Sequence, residues 1–563
     1  MTRLAVASFV ALAFVVGFAC TTATVAPPPP ASPQTAQAPA APVGATMLEG
    51  LGAYQRAIAT LNPEAQRWFD QGLNLTYGFN HDAAERSFLK ASEADPSCAM
   101  CWWGAALVLG PHVNAAMDPA NNGKAWARVK RAAILAANGS AKERAFIQAL
   151  SARYAENAPD DRKPLDEAYA KAMRGLAKQF PDDLDAATMQ AESLMDTQPW
   201  YYYDQQGKSL GHTDEFVALL ESVMKRNPDH PGALHLYIHA VEASTNADRG
   251  AVAADRLREL VPGSGHLVHM PAHIYTRVGR YHDAVVANQK AIKADDVYLA
   301  TCTPAPGVYP LGYVPHNHHF LWWASSMEGA SGQALASAEE TAKRANVPDL
   351  IKAPGFEFLQ DFLVTPIKAK VQFGRWDELL TMRKPADDLP YPVAMWHFGQ
   401  GMAQTRKAKL PEAQAHLDAL TLASADPAFE KYFVGPQHTL SRTLKVAERV
   451  LAGELAAARK DYPGAVAALE QAVALEDGNV YYEPPLWYQP ARQSLGAVLL
   501  KAGKAARAEA VYREDLARNR ANGWSLYGLA RSLKAQGKPA GHIEKEFQAA
   551  WKNSDVTLTA STF

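Results

Sequence analysis

The stretch AQRWFDQGLNLTYGFNHDAAERSFLKASEADP, residues 65–96, decides the fold of this chain. Its apolar residues recur every three to four positions, which is typical of amphipathic helices. When Ala65 is counted as position 1, Gly72 stands at position 8 and Phe88 at position 24. A small residue lets two antiparallel helices approach closely, a large one fills the space between them, and Pro96 cannot continue the second helix. The stretch therefore predicts one packed pair of helices.

The same pattern returns along most of the chain at a period of about 34 residues. Parts of it recur in frames that begin at Pro231, Gly265, Ala394, Gln489 and Ala521. These positions resemble the tetratricopeptide signature over most of residues 60–550, and no segment has the alternation of a β-strand. We therefore predict an all-α fold, an α-solenoid of antiparallel helix pairs. We place the N-terminal and central repeats in residues 47–350 and the C-terminal repeats in residues 351–563.

The N-terminus is predicted to be an export signal. Residues 1–20 contain one charged residue, followed by an apolar run from Leu4 to Phe18 that is short for a membrane span. Cys20 ends this run and resembles the lipidation site of bacterial lipoproteins, while cleavage near Ala26 without lipidation is the alternative. Residues 21–46 are uncharged and rich in proline and alanine, so we expect an extended tether. The protein is thus expected in the periplasm, anchored to the membrane by a lipid.

The overall charge argues against a nucleic-acid partner. The 563 residues include 56 Lys and Arg against 58 Asp and Glu, which gives a formal net charge of −2. Proteins that bind nucleic acids carry a basic face, and this chain has no block of basic residues. We therefore expect no nucleic acid among its partners.

Histidines cluster on the first helices of the central repeats. The tetratricopeptide resemblance implies that certain positions of each first helix line a concave groove. His235 and His269 are 34 residues apart, so they occupy equivalent positions on neighbouring helices. An insertion around Leu299–Tyr313 precedes the last two histidines. The candidates at groove positions are His235, His239, Glu242, His266, His269, His273, His316 and His319.

This histidine pattern is one that can bind a transition metal. Side chains at i and i+4 of a helix lie on one face, as do His235 and His239. Imidazoles with some carboxylate suit Zn, Cu or Fe and disfavour Ca or Mg. Three protein ligands would leave an open position of the catalytic type. No HExxH motif occurs, so the zinc-peptidase mechanism has no support and the sequence leaves open whether the protein is an enzyme.

The leading functional prediction is that the groove binds a peptide or protein partner. It rests on an analogy with other proteins of this fold, because repeats of this class bind such partners. Glu192 and Asp196 fall at groove positions, Trp200 follows them, and Trp323 lies at the far end. The aromatic segment Val480–Tyr488 either floors a ligand pocket or packs between repeats. The alternative function is a metal-binding protein or metalloenzyme built on the histidines, and simple hydrogen bonding by the histidines is the third interpretation.

Two cysteines, Cys98 and Cys101, form a CxxC motif that is followed by Trp102 rather than by histidine, so the usual motif for covalent haem attachment is absent. In an oxidising compartment we expect a disulfide, with redox activity and metal ligation as alternatives. Cys302 is left over and is expected to be buried and inert.

Several phrases resemble those of a large group of exported bacterial tetratricopeptide proteins. They are residues 77–81, 98–104, 269–275, 316–321 and 522–524. The group shares no settled activity, so the resemblance implies one recurring architecture and no particular function.

Overall fold

The computed structural model describes residues 44–302, 304, 307–434 and 438–563. The predicted signal peptide, Cys20 and most of the predicted tether lie outside these residues. The part of the chain from Gly44 to Phe563 forms one unit. Its described residues contain isolated bridges, such as the one between His112 and Ala115, and no β-strand.

Helices account for nearly all regular structure. The N-terminal helices are α1 (Pro63–Tyr77), α2 (His81–Ala94), α3 (Ala99–Leu107), α4 (Asn122–Leu135), α5 (Ala141–Ser151), α6 (Lys163–Gln179), α7 (Leu184–Asp196) and α8 (Thr213–Arg226). The central helices are α9 (Pro231–Glu242), α10 (Ala251–Leu257), α11 (Gly265–His269), α12 (Pro271–Arg277), α13 (Tyr281–Thr301), α14 (Val314–Met327) and α15 (Ser331–Ala345). The C-terminal helices are α16 (Phe358–Leu363), α17 (Thr365–Gln372), α18 (Trp376–Thr381), α19 (Pro390–Arg406), α20 (Leu410–Ser424), α21 (Leu440–Ala458), α22 (Tyr462–Asp477), α23 (Ala491–Lys501), α24 (Ala505–Arg518), α25 (Gly523–Ala535) and α26 (Gly541–Ala550). Short 3₁₀ helices are Pro119–Asn121, Ala136–Asn138, Ala247–Gly250 and Pro427–Lys431, and a π-helical turn is Tyr309–Tyr313.

Successive helices pack as antiparallel pairs, and the predicted small and large residues meet between them. A Cβ atom at Gly72 or at Gly104 would collide with the ring of Phe88. Phe88 is fully buried, so this ring fills the space between α1, α2 and α3. The all-α solenoid of tetratricopeptide-type pairs is therefore confirmed, down to the residues that set the helix spacing.

The helix starts follow from local sequence. Asn62 caps α1 by accepting hydrogen bonds from the backbone N–H groups of Glu64 and Ala65, and Pro63 occupies the first helical position. Asn522 caps α25 in the same way, by accepting from the N–H of Ser525. Each cap fixes where a first helix begins, and with it the face that its side chains present.

Distant repeats also touch one another, unlike those of an open solenoid. The segment before α1 crosses to the start of α7, where Arg56 pairs with Asp183 at 3.0 Å and with Asp185 at 2.7 Å. Near the C-terminus, Asp555 accepts hydrogen bonds from the backbone of Ser331 and Gly332 in α15. These contacts draw the chain around its central helices.

The hydrophobic core runs in two large clusters, which overlap between Tyr281 and Ala324. The overlap lies on α13 and α14, and the division at residue 350 stays a prediction. Within the described ranges, the helices are too short or too polar for any of them to cross a membrane.

Candidate metal centre

Three neighbouring first helices carry the candidate residues. They are α9, the broken helix α11–α12, and α14 after the inserted π-helical turn. Every residue of α9 is buried, including His235 and His239, so these imidazoles lie inside the protein rather than on an open groove. His269 and His273 occupy the equivalent positions on α11 and α12 and are buried as well.

The first set consists of His235, His239 and His266, whose ligand atoms lie within 4.8 Å of one another. His235 Nε2 is 3.2 Å from His266 Nε2. Two nitrogens that bind one Zn²⁺ at about 2.0–2.1 Å lie about 3.3 Å apart in tetrahedral geometry. The spacing of this pair therefore suits one shared transition-metal ion.

Two rings of the first set, those of His235 and His239, direct an Nε2 lone pair towards its centre. His235 Nδ1 lies 2.6 Å from the carbonyl oxygen of Tyr77, which only accepts, so this nitrogen carries the hydrogen. His239 Nδ1 lies 2.7 Å from Glu242 Oε1 and donates to it. The Nε2 atoms of both rings are thus unprotonated, and His239 Nε2 is buried without a hydrogen-bond partner. This is the arrangement in which a metal-ligating histidine is held by its other nitrogen.

The second set consists of His269, His273 and the partly buried His316. His269 Nδ1 lies 2.7 Å from Asn288 Oδ1, and the Asn288 amide nitrogen donates to Ala284, which fixes the orientation of that amide. His273 Nδ1 lies 2.5 Å from Glu242 Oε2. The Nε2 atoms of His269 and His273 face each other at 2.8 Å, which is a hydrogen-bond distance, and they would move to about 3.3 Å apart if both bound one ion.

Glu242 contacts one histidine of each set. Its side chain is fully buried, and its two oxygens accept hydrogen bonds from His239 and His273. Glu483 adds a second carboxylate, 2.6 Å from His273 Nδ1. Glu242, His273 and Glu483 also form a group with metal-ligand spacing. Glu242 accepts hydrogen bonds from His239 and His273, so we assign it to support of these imidazoles rather than to direct ligation, whereas Glu483 Oε2 lies close to His273 but is buried without a hydrogen-bond partner.

Electrostatics keeps most of the imidazoles neutral. Burial, followed by the neighbouring histidines, holds the pKa of His235, His266, His269 and His316 below the usual range. Burial also opposes the charged form of His273, but Glu242 and Glu483 prevail and raise its pKa to about 10. The protonated Nε2 of His273 then donates a hydrogen bond to the lone pair on Nε2 of His269. A bound cation would replace the proton of this hydrogen bond.

Aromatic rings surround the histidines. The ring of Phe79 lies 4.4 Å from that of His235 between centroids, and on its other side 4.4 Å from His112. Trp200 lies 5.4 Å from His239, and Phe320 lies 4.9 Å from His269. Such a shell excludes water and lowers the local dielectric constant, which strengthens binding between ligands and a cation.

Two cavities approach this centre from different sides. One, of about 510 Å³, is lined by Tyr481, Glu483 and Arg277 among others. The other, also of about 510 Å³, is lined by His112 and Trp200 among others. Small molecules can therefore come near the histidines although the imidazoles themselves are buried.

The segment Val480–Tyr488 covers the second set. Tyr481 donates to Glu242 Oε2 at 3.2 Å, and Glu483 contacts His273. The sequence allowed this segment to floor a pocket or to pack between repeats, and the structure shows contributions to both, since Tyr481 lines a cavity and Tyr488 is buried in the core. Its contact with the histidines has no signal in the sequence, nor do the supporting roles of Asn288 and Tyr77.

Four further candidates lie apart from the two sets. His319 packs between Trp322 and Phe362, and it belongs to none of the groups with metal-ligand spacing. Asp196 pairs with Arg153 at 2.7 Å. The remaining two are Glu192, which is partly buried, and Trp323, whose indole N–H donates to the carbonyl oxygen of Tyr488 at 3.1 Å.

The three cysteines that the structure describes do not take part in the centre. Cys98 and Cys101 form a disulfide at the start of α3, where Cys98 Sγ also accepts a hydrogen bond from the N–H of Cys101. Cys302 is a partly buried free thiol, whose pKa is raised chiefly by burial. Neither position offers a sulfur ligand to the histidines.

Comparison with known proteins gives only distant similarities. No protein-family model matches the chain, and no curated protein matches it. Among solved structures, it is similar to the APC/C hetero-tetramer Cut9–Hcn1, with 13% identity, a TM-score of 0.31, and 86% of this chain and 76% of that chain covered. It is also similar to a human IFIT1 dimer with m7Gppp-AAAA, with 11% identity, a TM-score of 0.33, and 81% and 90% covered. A third is Naa15/Naa10 bound to HypK-THB, with 12% identity, a TM-score of 0.23, and 86% and 70% covered. We draw no functional inference from similarities this weak.

Proposed function

We propose that this helical-repeat protein binds a transition metal through the histidines of its central repeats. The observation that carries the proposal is the orientation of the rings. In His235, His239, His269 and His273, an acceptor engages Nδ1, so that Nε2 is the nitrogen turned towards the other rings. Buried polar atoms normally find hydrogen-bond partners, but His239 Nε2 has none, and a cation bound between the rings would satisfy it.

The ligand type limits the metal. Neutral imidazole suits Zn, Cu and Fe, and the Irving–Williams order favours Cu and Zn over Fe at such a site. Three histidines leave an open coordination position, where an ion can polarise a substrate or lower the pKa of water. The two cavities beside the centre bring small molecules as far as Glu483 and Trp200, which contact His273 and His239.

Elemental analysis of protein produced in the periplasm tests this function. We expect stoichiometric Zn, Cu or Fe, and a melting temperature that falls in the presence of a chelator. The variant His235→Ala/His269→Ala should lose this metal and the chelator effect. His397→Ala/His416→Ala is the matched control, because these two partly buried rings also touch, at 5.2 Å, but lie elsewhere. Metal-free protein whose melting is unchanged by a chelator would rule the function out.

A peptide or protein partner is a second proposal, and the cavity beside Tyr481 supports it. This cavity combines aromatic side chains with arginines, including Arg277, Arg518 and Arg520. The partner site is then this cavity, since the chain itself covers the histidines. A photo-crosslinking residue at Tyr481, introduced in the native host, should give a discrete adduct that the same residue at the exposed Val252 does not. Identical adduct patterns at both positions would reject the site.

We also propose that the protein is exported and anchored to the membrane by a lipid. The sequence of residues 1–20 supports this proposal. A lipid on Cys20 would hold the repeats at the membrane through the proline-rich tether. Cys20→Ser should move the protein from the membrane fraction to another compartment and abolish incorporation of labelled fatty acid. Unchanged fractionation of this variant would show that lipidation does not anchor the chain.

A further inference from the structure

Six histidines meet at the centre, and they divide into two sets rather than one. The ligand atoms of His235, His239 and His266 lie within 4.8 Å of one another, and so do those of His269, His273 and His316. No histidine belongs to both sets. A transition-metal ion of the zinc type takes about four ligands, so a single ion cannot use all six rings.

The two sets are direct neighbours. The rings of His239 and His273 have centroids 5.8 Å apart, and those of His266 and His269 are 6.0 Å apart. Glu242 joins the sets, because one oxygen accepts from His239 Nδ1 and the other from His273 Nδ1. A fully buried carboxylate shared in this way fixes one ligand of each set at once.

We infer that the centre is binuclear and holds two divalent transition-metal ions, one in each three-histidine set, with Glu242 linking the sets through His239 and His273. This inference rests on the proposed function. Each ion keeps an open position, as three-histidine sites do.

The carboxylates of Glu242 and Glu483 fit this assignment. Two divalent ions bring positive charge into a buried region, which is costly unless negative groups lie close. The side chains of Glu242 and Glu483 are 0% and 7% exposed, and both contact His273. Placed behind the imidazoles, they offset part of that charge without occupying the open positions.

Metal titration of the full mature chain tests the number of ions. The chelator-treated protein is titrated with Zn²⁺, passed through a desalting column, and analysed for bound metal. We expect two ions per chain. His235→Ala/His239→Ala should retain one ion in the second set, and His269→Ala/His316→Ala should retain one in the first set. Circular dichroism checks that each variant is folded, and where a double variant unfolds, His235→Gln and His269→Gln replace it.

Substitution of Glu242 tests the link. Glu242→Gln should weaken both sites by about 10- to 100-fold, because one residue supports a ligand in each set. Glu448→Gln is the control, since this carboxylate is also buried but accepts from Ser424 in the C-terminal repeats. With Cu²⁺, the intact protein should give an electron paramagnetic resonance spectrum broadened by a neighbouring ion, and each double variant a spectrum of an isolated ion.

The outcomes separate this inference from the proposed function. One ion per chain, lost in both double variants, would mean a single shared site and would overturn the binuclear centre while the metal function stands. A third outcome is that the wild-type chain binds two ions, that Glu483→Gln loses one of them, and that His269→Ala/His316→Ala keeps it. That ion would then lie between Glu242, His273 and Glu483, and the assignment of one ion to each three-histidine set would be overturned. No bound metal at all would overturn both.

Discussion

Tyr481 donates a hydrogen bond to Glu242 Oε2 at 3.2 Å, although the two residues are 239 positions apart in the chain. Through this contact a C-terminal segment closes over a carboxylate that also holds two histidines of the central repeats. The ring of Tyr481 lies in addition 5.2 Å from the guanidinium of Arg277. Tyr481 therefore stands between the cavity and the imidazoles, and its removal should open the path between them.

Tyr481→Phe should make bound metal easier to extract. The substitution keeps the ring and removes one hydrogen bond, worth about 1 kcal/mol, so the release of metal to a chelator should accelerate about fivefold. The rate is measured by stopped-flow with a coloured chelator. Tyr527→Phe, in the distant α25, should leave the rate unchanged. Equal rates in the wild type and in Tyr481→Phe would show that this residue does not control access.

Asn288 should govern the second set alone. Asn288→Ala removes the acceptor of His269 Nδ1–H, so this ring is no longer held in the tautomer that exposes Nε2. The affinity of the second set for Zn²⁺ should fall by about 10- to 100-fold, measured by competition with a chelator, while the first set keeps its affinity.

Asn288→Asp is the matched variant, because a carboxylate oxygen accepts the same hydrogen bond. It should retain the affinity that Asn288→Ala loses. Equal losses in both variants would mean that the substitutions act through packing at this buried position, and not through the tautomer of His269.

The repeat and its histidines could be predicted from the sequence because both are carried by one period. The distance from His235 to His269 is one repeat, and Gly72 and Phe88 keep their places in the helix pair. Neither the repeat period nor the spacing within a helix pair depends on how neighbouring repeats are rotated relative to one another. The grouping of the histidines into two sets does depend on that rotation, so the sequence predicted one surface where the structure has two buried groups.

His319 shows how local geometry limits such a prediction. Residues at i and i+3 of a helix are about 60° apart around its axis, so His316 and His319 need not meet the same neighbour. His316 faces His269 at 4.8 Å between ring centroids, whereas His319 faces Phe362 of α16 at 5.0 Å. The contact between Tyr481 and Glu242 could not be predicted at all, since no sequence pattern relates residues so far apart in the chain.

Glu476 should make the stability of the protein depend on pH in a definite direction. Burial, with some repulsion from Asp515, raises the pKa of this carboxyl from 4.5 to about 8, despite a hydrogen bond from the Ala491 N–H and the nearby Arg492. A raised pKa means that the folded protein binds a proton that the unfolded chain has lost between these values. Stability contributed by this group is therefore present below pH 4.5 and declines as the pH rises towards 8.

Glu476→Gln removes this proton linkage but can still accept the hydrogen bond from Ala491. At pH 4 the two proteins should have similar free energies of unfolding, and between pH 4.5 and about 8 the variant should gain up to about 1.4 kcal/mol per pH unit, with no further gain at higher pH. Urea unfolding at a series of pH values measures the difference. A difference that does not change with pH would show that Glu476 is ionised in the folded protein.

Gly104 should tolerate no side chain, although it lies in a helix, where alanine is intrinsically favoured. A Cβ atom there would collide with the buried ring of Phe88, which α1 and α2 hold in place, so the ring cannot move aside without disturbing the first repeat. Gly104→Ala should therefore lower the free energy of unfolding by about 1–3 kcal/mol.

Gly175→Ala is the matched control, because this glycine lies inside α6 and a Cβ atom there meets nothing within 4 Å. It should raise the free energy of unfolding by about 0.5–1 kcal/mol, since alanine loses less backbone entropy than glycine when a helix forms. Urea unfolding of the two variants compares the same substitution with and without the inter-helix contact. If both variants were stabilised to the same extent, Phe88 would not set the approach of α3 to the first pair, and the absence of a side chain at Gly104 would have no packing role.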